Sequence, residues 1–530
     1  MSYRVLVSDP LAPEGIDILQ GHPEVDVEVN TDLSPEELAK IISGYDALVI
    51  RSGTKVTKEV LENADRLKVV GRAGVGLDNV DIGVATSRGV IVMNTPGGNT
   101  ISTAEHTWAL LMGLSRNIAP ANISLREGRW DRKKYKGTEL YGKTLGVIGL
   151  GRIGTVVGER ALAFGMKVIG FDPYTSEESM KKIGFQPASL DQLLTEADFI
   201  TVHTPKAKET MHLLDDSAFA RMKKGVRVIN CARGGIIDEK ALEKALESGK
   251  CAGAALDVYE NEPPAADNPL VKRENCLCSP HLGASTKEAQ INVAIDIARN
   301  VLDALTGGEV RNAVNIPSIS PELRSVLNPY IDLADKLGMF AIQYLGKHLD
   351  KLEVTYAGPI SEYDTSYLTI AVLKGILSAI MNEAVNFVNA PLLAEKRNIA
   401  YSETKSKKAE GYTNSITVKL TSNSEYVEVC GTNFGDHDPR IVTVNGVHID
   451  AKPVGNLLYF INVDEPGVIA HVTAVLAAAN INIADMTLGR KEKRGDAVTV
   501  CNVDTPVPES MLKELRTYDR IKGIKTIDLR

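Results

Sequence analysis

The sequence contains few cysteines and no CxxC pair. Its six cysteines are scattered over 530 residues, a distribution that indicates neither a disulfide framework nor a zinc site. Cys276 and Cys278 stand close together, but they lie in a strand-like run where apolar packing is expected rather than metal binding. We therefore expect a metal-free protein of the cytosol.

Long apolar runs and an excess of basic residues are also missing. No stretch approaches 18 consecutive apolar residues, and residues 1–10 are typical of a strand rather than of a signal peptide. The 60 basic and 68 acidic residues give a net charge of −8, which argues against general binding to nucleic acid or to anionic membranes. Partners are expected to be small molecules instead.

The composition is that of an ordinary globular chain, and the length predicts three or four domains. Over the first 310 residues, strand-like apolar runs alternate with helix-length segments, a pattern that predicts α/β units built on two parallel sheets. A long helical pattern at Thr286–Leu305 has no strand directly behind it, so we expect it to return to the first sheet. The predicted units are residues 1–98 with 283–316, and the inserted residues 99–282. Six strands are predicted for the inserted unit, at Thr144–Gly149, Lys167–Phe171, Phe199–His203, Arg227–Asn230, Ala252–Leu256 and Cys276–Ser279.

Beyond residue 317 the pattern changes to a mixture of helices and antiparallel-looking strands. Helices are predicted at Asn328–Leu345 and Leu368–Val388. Asn445-Gly446 between two apolar runs predicts a hairpin turn. From Leu457 the order strand, helix, strand, strand, helix, strand predicts a compact βαββαβ module. We place an α+β domain at residues 317–455 and this module at residues 456–530.

The segment Gly149-Leu150-Gly151-Arg152-Ile153-Gly154 follows a predicted strand and opens a helix, and Asp172 ends the next strand. Glycines in this context let backbone amides approach a pyrophosphate, and an acidic residue at that distance can hold a ribose hydroxyl. A 2′-phosphate beside Asp172 would bring like charges together. The pattern therefore predicts NAD rather than NADP.

Polar residues end the strands of the second sheet, where ligands of parallel sheets bind. An arginine, a carboxylate and a histidine at this edge are the groups needed to oxidise an alcohol beside a carboxylate. Each residue taken singly could instead cap a helix, face solvent or pack in the core. The strand-end residues are Thr204, Cys231, Arg233, Asp257, Glu262 and His281.

The strand ends of the first sheet predict an anion site. Arg51-Ser52 follows one strand, Arg72 to Gly76 follows the next, and Asn94 to Asn99 follows the last. Guanidinium groups beside a glycine-rich turn suit a phosphate, and backbone amides suit a carboxylate. The basic segment Arg129–Lys136 is either a solvated surface or a second anion contact, which a neighbouring subunit could supply.

The motifs VIGLGRIG, INCARGGIID, GAALDVYENEPP and SPHLGAST resemble those of the D-isomer-specific 2-hydroxyacid dehydrogenases. The whole chain resembles the long branch of that family, which carries an intervening domain and a C-terminal ACT domain. The resemblance implies oxidation of 3-phospho-D-glycerate to 3-phosphohydroxypyruvate with NAD, the first step of L-serine synthesis, in a homotetramer. Two alternatives are a dehydrogenase for another small D-2-hydroxy acid, such as glycerate, lactate or 2-hydroxyglutarate, and a non-enzymatic NAD-sensing scaffold on the same fold.

The resemblance also assigns roles to individual residues. It implies that Arg233 orients the substrate, that His281 is the acid/base, and that Glu262 supports His281. Val75 departs from some members, which have a threonine that contacts NAD. The implied NAD contacts are Gly149, Gly151, Arg152, Ile153, Gly154, Asp172, Thr204, Cys231, Asp257 and Val75. The implied substrate contacts are Arg51, Ser52, Arg72, Gly74, Asn99 and Arg132.

In the C-terminal module, the resemblance implies a binding site for L-serine as a feedback inhibitor. Asn462, Asp464 and Asn482 fall where family members bind this amino acid between two modules. The alternative is that these side chains only form turns.

Overall fold

The computed structural model describes residues 2–317, 321–346, 348–382, 384–423, 425–435 and 438–529, apart from the side chains of residues 321 and 322. These residues form two parallel sheets, one mixed sheet and one antiparallel sheet. The predicted fold class is thus confirmed. Among the described residues, no helix is both long enough and apolar enough to cross a bilayer.

The first sheet has five parallel strands in the order β2-β1-β3-β4-β5. Its central strand Ala47–Ile50 is buried at every residue, as expected for a parallel strand covered on both faces. Ser34 and Glu37 form a reciprocal capping box that starts the second helix. The elements are β1 (Tyr3–Val7), α1 (Pro13–Gln20), β2 (Val25–Val29), α2 (Pro35–Ile41), β3 (Ala47–Ile50), α3 (Lys58–Glu62), β4 (Val69–Arg72), α4 (Ile82–Ser87) and β5 (Ile91–Met93).

The chain then crosses to the second sheet, which has seven parallel strands in the order β12-β11-β10-β9-β6-β7-β8. Six of these strands were predicted, whereas the two-residue edge strand Gln186–Pro187 was not. The elements are α5 (Thr100–Ser115), α6 (Ile118–Arg126), β6 (Thr144–Ile148), α7 (Arg152–Ala163), β7 (Lys167–Phe171), α8 (Glu177–Lys182), β8 (Gln186–Pro187), α9 (Leu190–Glu196), β9 (Phe199–Val202), α10 (Asp216–Arg221), β10 (Val226–Asn230), α11 (Glu239–Glu247), β11 (Cys251–Leu256), α12 (Pro269–Lys272) and β12 (Cys276–Cys278).

Helix α13 (Lys287–Thr306) packs on the first sheet. Val293, Ile297 and Val301 lie in one apolar cluster with side chains from β1, β3 and β4. A Cβ atom on Gly71 would stand 2.6 Å from Val301, so only glycine allows the helix to approach this strand. The chain therefore crosses between the two sheets twice, before α5 and after β12.

The mixed sheet has the strand order β14-β13-β15-β16-β17-β18 and packs against a long helix, α14. Asn445 and Gly446, both at positive φ, form the predicted hairpin turn. The elements are α14 (Pro321–Leu345), β13 (Lys351–Ala357), α15 (Ser366–Ile380), α16 (Ala390–Lys396), β14 (Ala400–Ser406), β15 (Ser415–Ser422), β16 (Glu425–Asn433), β17 (Pro439–Val444) and β18 (Val447–Ala451).

Two predicted helix boundaries in this region are wrong. Helix α14 begins seven residues before the predicted Asn328 and contains Pro329, because buried side chains before and after that proline hold both parts in the core. The predicted helix from Leu368 to Val388 ends at Ile380. Asn386 accepts hydrogen bonds from the amides of residues 388 and 389, so the last part of the predicted helix forms a local turn instead.

The C-terminal module has the predicted βαββαβ order, with strands arranged β20-β21-β19-β22. One face of this sheet carries two helices, and the other packs on α14, where Leu457, Tyr459 and Val500 join the core that contains Leu337 and Phe340. The module therefore shares its core with the mixed sheet. The elements are β19 (Gly455–Val463), α17 (Val468–Ala478), β20 (Ile483–Arg490), β21 (Asp496–Val503), α18 (Glu509–Arg516) and β22 (Ile521–Leu529).

Candidate active site

A cleft of about 1140 Å³ lies between the two parallel sheets and is lined by residues from both. It brings together residues that are far apart in the chain, since each follows the carboxyl end of a parallel strand. The sequence-predicted residues that line it are Arg51, Ser52, Arg72, Gly74, Val75, Asn99, Arg233, Glu262 and His281.

His281 and Glu262 form a hydrogen-bonded pair in this cleft. Nδ1 of the imidazole lies 2.7 Å from Oε2 of Glu262, while Oε1 accepts a hydrogen bond from the backbone amide of Tyr259. The hydrogen bond to Glu262 raises the pKa of His281, outweighing the opposing effect of burial. Burial raises the pKa of Glu262, but the bonds from His281 and Tyr259 together hold it below its ordinary value. Nε2 of His281 remains available for proton transfer with a ligand.

Arg233 spans the cleft from the second sheet to the first. Its backbone is fixed by Asn230, whose side chain accepts from the amide of Ala232 and donates to the carbonyl of Arg233. Its guanidinium Nε lies 3.4 Å from a carboxylate oxygen of Asp78. A Cβ atom on Gly76 would stand 2.3 Å from this guanidinium. The glycine-rich turn after β4 therefore makes room for an arginine from the other unit.

Arg72 and Arg51 supply positive charge from the first sheet. The Nε atom of Arg72 is buried and has no hydrogen-bond partner among the residues that the structure describes. Burial, followed by the nearby charge of Arg233, lowers the pKa of Arg72 to about 10. Asp9 holds the other turn, because its carboxylate accepts from the backbone amides of Arg51 and Thr54. An anionic ligand would satisfy the unpartnered nitrogen and offset the repulsion between the two guanidinium charges.

The turn after β6 has the geometry that a dinucleotide requires. Gly149 has a φ of +90°, and a Cβ atom on Gly154 would stand 2.0 Å from the Gly149 carbonyl oxygen. Helix α7 begins at exposed Arg152 with Gly151 as its N-cap, and no side chain of the described residues caps its first amides. Half-buried Ile153 lies in the same turn. This arrangement can bind a pyrophosphate.

Asp172 lies beside this turn at the end of β7. Its carboxylate accepts hydrogen bonds from the amides of Leu150, at 2.7 Å, and Tyr174, at 2.8 Å. The Oγ1 atom of Thr204, at the neighbouring strand end, is buried and has no partner. An acidic group held at the glycine turn and an unsatisfied hydroxyl nearby both fit a bound dinucleotide.

Cys231 and Asp257, which lie at neighbouring strand ends, are both buried. Burial raises the pKa of the Cys231 thiol to about 12, and the side chain packs in the apolar core of the second unit. The Asp257 carboxylate is fully buried and accepts hydrogen bonds from Ser279, Leu282 and Gly283. Both residues therefore shape the strand ends from beneath.

Comparisons with known proteins agree with this geometry. Residues 108–283 match the D-isomer specific 2-hydroxyacid dehydrogenase NAD binding domain, residues 326–445 the D-3-phosphoglycerate dehydrogenase intervening domain, and residues 457–520 the ACT domain. The chain is 46% identical to D-3-phosphoglycerate dehydrogenase of Bacillus subtilis, over 99% of this chain and all of that one. It is 43% identical to the Synechocystis enzyme of the same name, over 99% of this chain and 95% of that one.

The chain belongs to the D-3-phosphoglycerate dehydrogenase family. It is therefore an NAD-dependent oxidoreductase. Solved structures cover 59% of the chain: TT0316 of Thermus thermophilus is 36% identical, with a TM-score of 0.54, over 99% of its length. D-lactate dehydrogenase of Aquifex aeolicus, solved with NAD and lactic acid, is 30% identical, with a TM-score of 0.53, over its whole length.

In the ACT module of this family member, the three residues predicted to bind serine already have partners within the chain. Asn462 is buried and accepts a hydrogen bond from Thr499. Asp464 pairs with Arg490 at 2.5 Å, and Asn482 donates to Asp504. A bound amino acid would therefore exchange these contacts for its own.

Arg132 is the predicted substrate residue that does not line the cleft. It lies with Trp130 in a separate depression after α6. Sequence reasoning also missed Lys206 and Asp78, which line the cleft from opposite sides. Asp9 was missed as well, although it follows β1 directly, so the strand-end argument used for its neighbours would have found it. Lysine and aspartate are common in solvated loops, so nothing in the sequence distinguishes Lys206 and Asp78 from ordinary surface residues.

Proposed function

We propose that the chain oxidises 3-phospho-D-glycerate to 3-phosphohydroxypyruvate with NAD, the reaction that opens L-serine synthesis. The observation that carries the proposal is the juxtaposition of the His281–Glu262 pair with three arginines, Arg51, Arg72 and Arg233, in one cleft. A substrate with a carboxylate and a phosphate needs more positive charge than lactate does. The names of the relatives from Bacillus subtilis and Synechocystis support the same substrate.

Substrate binding follows from the positions of the cationic groups. Arg233 and the backbone amide of Val75 hold the substrate carboxylate, while Arg51 and Arg72 attract the phosphate. The Gly74 amide donates to the Arg72 carbonyl at 2.9 Å and so holds the turn. Asn94 fixes this cradle by donating to the carbonyl of Val75 at 2.6 Å. Asn99, whose Oδ1 atom is buried without a partner, completes the wall.

Proton transfer falls to His281. Because Nδ1 is bound to Glu262, the proton of the substrate 2-hydroxyl is accepted at Nε2. Glu262 keeps the ring oriented and stabilises the imidazolium that forms. When bound on the Gly149–Gly154 turn, NAD supplies the acceptor for the hydride from C2. The turn, Asp172 and Thr204 would hold that cofactor, and an acidic side chain at this position would favour NAD over NADP.

An NADH-linked assay of the purified protein tests this function. We expect reduction of 3-phosphohydroxypyruvate with a kcat/KM at least about 100-fold above the values for hydroxypyruvate and 2-oxoglutarate, since each loses phosphate contacts worth on the order of 3 kcal/mol. Arg51→Ala should reduce this preference without reducing the activity on hydroxypyruvate. Equal kcat/KM values for all three compounds would mean that the phosphate is not recognised, and would favour another 2-oxo acid as the substrate. NAD binding without turnover would favour the scaffold.

We also propose that L-serine inhibits the enzyme through the ACT modules of a homotetramer, with Asn462, Asp464 and Asn482 at the effector site. Asp464 can accept from the serine ammonium group after releasing Arg490. Arg132 would reach the phosphate of a substrate bound in the cleft of a neighbouring subunit. Exposed apolar side chains on and after α6, among them Ile123 and Trp130, support assembly at this surface.

Serine titrations of turnover, with light scattering for the mass, test the regulatory proposal. Asn482→Ala and Asp464→Ala should raise the serine concentration for half inhibition about 10-fold or more, with unchanged rates in its absence. If both variants were inhibited at the same serine concentration as the parent protein, the effector site would have to lie elsewhere. A monomeric mass would remove Arg132 from the substrate site.

A further inference from the structure

Helix α5 carries a histidine that lies close to the catalytic strand ends but is not among the residues lining the cleft. Nε2 of His106 is 3.1 Å from Oδ1 of Asp257 and 3.0 Å from Oγ of Ser279. Only about a fifth of the His106 side chain is exposed. Since the Asp257 carboxylate can only accept when ionised, Nε2 carries the proton and the ring donates to it.

Asp257 is the centre of a small buried network. Its Oδ1 atom accepts from Ser279 Oγ at 2.6 Å and from the Leu282 amide at 2.7 Å, in addition to His106. Its Oδ2 atom accepts from the Gly283 amide at 2.8 Å. Burial raises the pKa of Asp257, but the hydrogen bonds from His106, Ser279 and the two amides lower it below the ordinary value. The network therefore holds a negative charge that is fully solvated by protein donors.

This network fixes the turn that carries His281. The donors Ser279, Leu282 and Gly283 stand on either side of His281 in the chain. The His281 amide itself donates to the Asp257 carbonyl at 2.9 Å. His281 has a φ of +53°, a conformation that a residue other than glycine keeps only where its surroundings enforce it. Asp257 and its partners supply that enforcement.

Helix α5 is attached to the same turn at a second point. One helical turn before His106, the Ser102 hydroxyl donates to the Gly283 carbonyl at 2.8 Å. The helix begins directly after Asn99, in the segment where the chain first crosses between the sheets. Two side chains of α5, Ser102 and His106, thus couple the position of this helix to the His281 turn.

We propose that His106 is a positioning residue for His281, acting from α5 through Asp257 and Ser279. The proposal rests on the proposed function only in taking His281 as the group that exchanges the proton. His106 supplies one directed N–H to a buried carboxylate, a contact that an amide side chain can reproduce and a hydrocarbon cannot.

The kinetic test compares His106→Leu, His106→Gln and the control Glu105→Gln. Glu105 is the preceding residue of the same helix, is exposed, and pairs only with the exposed side of Arg160 among its described contacts. We expect His106→Leu to lower kcat about 10–100-fold, the scale of a misplaced catalytic group. KM for the substrate should change less than about 3-fold, since Arg233 and the arginines of the first sheet are untouched. His106→Gln should restore most of kcat.

A second readout needs neither cofactor nor turnover. The rate at which diethyl pyrocarbonate modifies His281, measured by peptide mass spectrometry across pH, reports its neutral fraction and the access to Nε2. The charged groups that face His281 are Glu262, Asp257 and Arg233. In His106→Leu we expect the midpoint to move to lower pH, because a displaced imidazole loses its short contact with Glu262. Glu105→Gln should match the parent protein.

Two results would overturn the proposal. One is a His106→Leu protein with parental kcat and modification profile. The other is a loss of thermal stability that matches the loss of kcat and is not relieved by glutamine, which would assign His106 to folding alone. If the parent protein fails to turn over 3-phosphohydroxypyruvate while the modification profiles still differ, the proposed function fails and the positioning role stands.

Discussion

At the residue scale, two carboxylates near His281 differ in their exposure and in the groups that they contact. Glu262 lies at the cleft surface and touches the imidazole itself, whereas Asp257 is fully buried and touches the backbone around it. The exposed carboxylate can respond to the charge that forms on the histidine during the reaction. The buried one holds the geometry within which that charge forms.

Glu262→Gln should therefore change the pH dependence of catalysis. Oxidation needs neutral His281, and the bond to Glu262 raises the pKa of that histidine. The rise of kcat/KM with pH in the parent protein should occur at a higher pH than in the variant, which lacks this bond to a carboxylate. His281→Ala should lower kcat about 10²–10⁴-fold. A Glu262→Gln profile with the parental midpoint would mean that another group controls the titration.

Asp172→Ala should weaken NAD binding by roughly 1–3 kcal/mol and narrow the gap between NAD and NADP. The carboxylate lies beside the glycine turn, where it would repel a 2′-phosphate. Kd values for both cofactors, from quenching of protein fluorescence, provide the measurement. Unchanged values for both would place the ribose elsewhere.

At the element scale, the turn between β6 and α7 has glycine at two positions for different reasons. A Cβ atom on Gly151 would have nothing within 4 Å, whereas a Cβ atom on Gly154 would meet the Gly149 carbonyl oxygen at 2.0 Å. Gly151→Ala should keep the parental melting temperature and weaken NAD binding, since the new methyl group faces the ligand. Gly154→Ala should lower the melting temperature itself. Thermal melts with and without NAD distinguish these outcomes, and equal destabilisation by both variants would contradict them.

The strands and strand-end residues of the two parallel sheets could be predicted because buried parallel strands are continuous apolar runs and their carboxyl ends meet at one edge. Arg51, Arg72, Arg233 and His281 were found in this way. The contacts of His106 could not be predicted, since one histidine on an apolar helix has no pattern that marks its partner. Likewise, the turn at Asn386, which replaces the last part of the predicted helix, is held by side-chain hydrogen bonds that local propensity does not reveal.

At the scale of the whole molecule, the mixed sheet and the ACT module form one core around α14. Rings of Phe340, Tyr344 and Tyr459 pack against one another with centroids 5.0–6.3 Å apart. Lys336 and Gln343 of the helix donate to backbone carbonyls of β22. The ACT module is therefore in direct contact with the rest of the C-terminal half.

We expect these two regions to unfold together. Hydrogen exchange should give the slowest amides of β15 and of β19 the same opening free energy, since neither sheet keeps its core without α14. A chain that ends at Lys452 should melt at a lower temperature and bind a hydrophobic dye, because it exposes Leu337 and Phe340. Independent exchange of β19, with β15 still protected, would contradict a shared core. Point variants are accordingly the better probes of serine binding.

The return of α13 to the first sheet has a consequence for synthesis on the ribosome. Strands β1 to β5 leave the exit tunnel long before the helix that covers Val5, Val49 and Val69. At about 5–20 residues per second, the roughly 200 intervening residues take on the order of 10–40 s to be made. During that time the nascent first sheet has an uncovered apolar face, while the inserted NAD-binding unit can already fold. We therefore expect the first sheet to be completed only after the inserted unit has folded, and its apolar face to be open to chaperones until then.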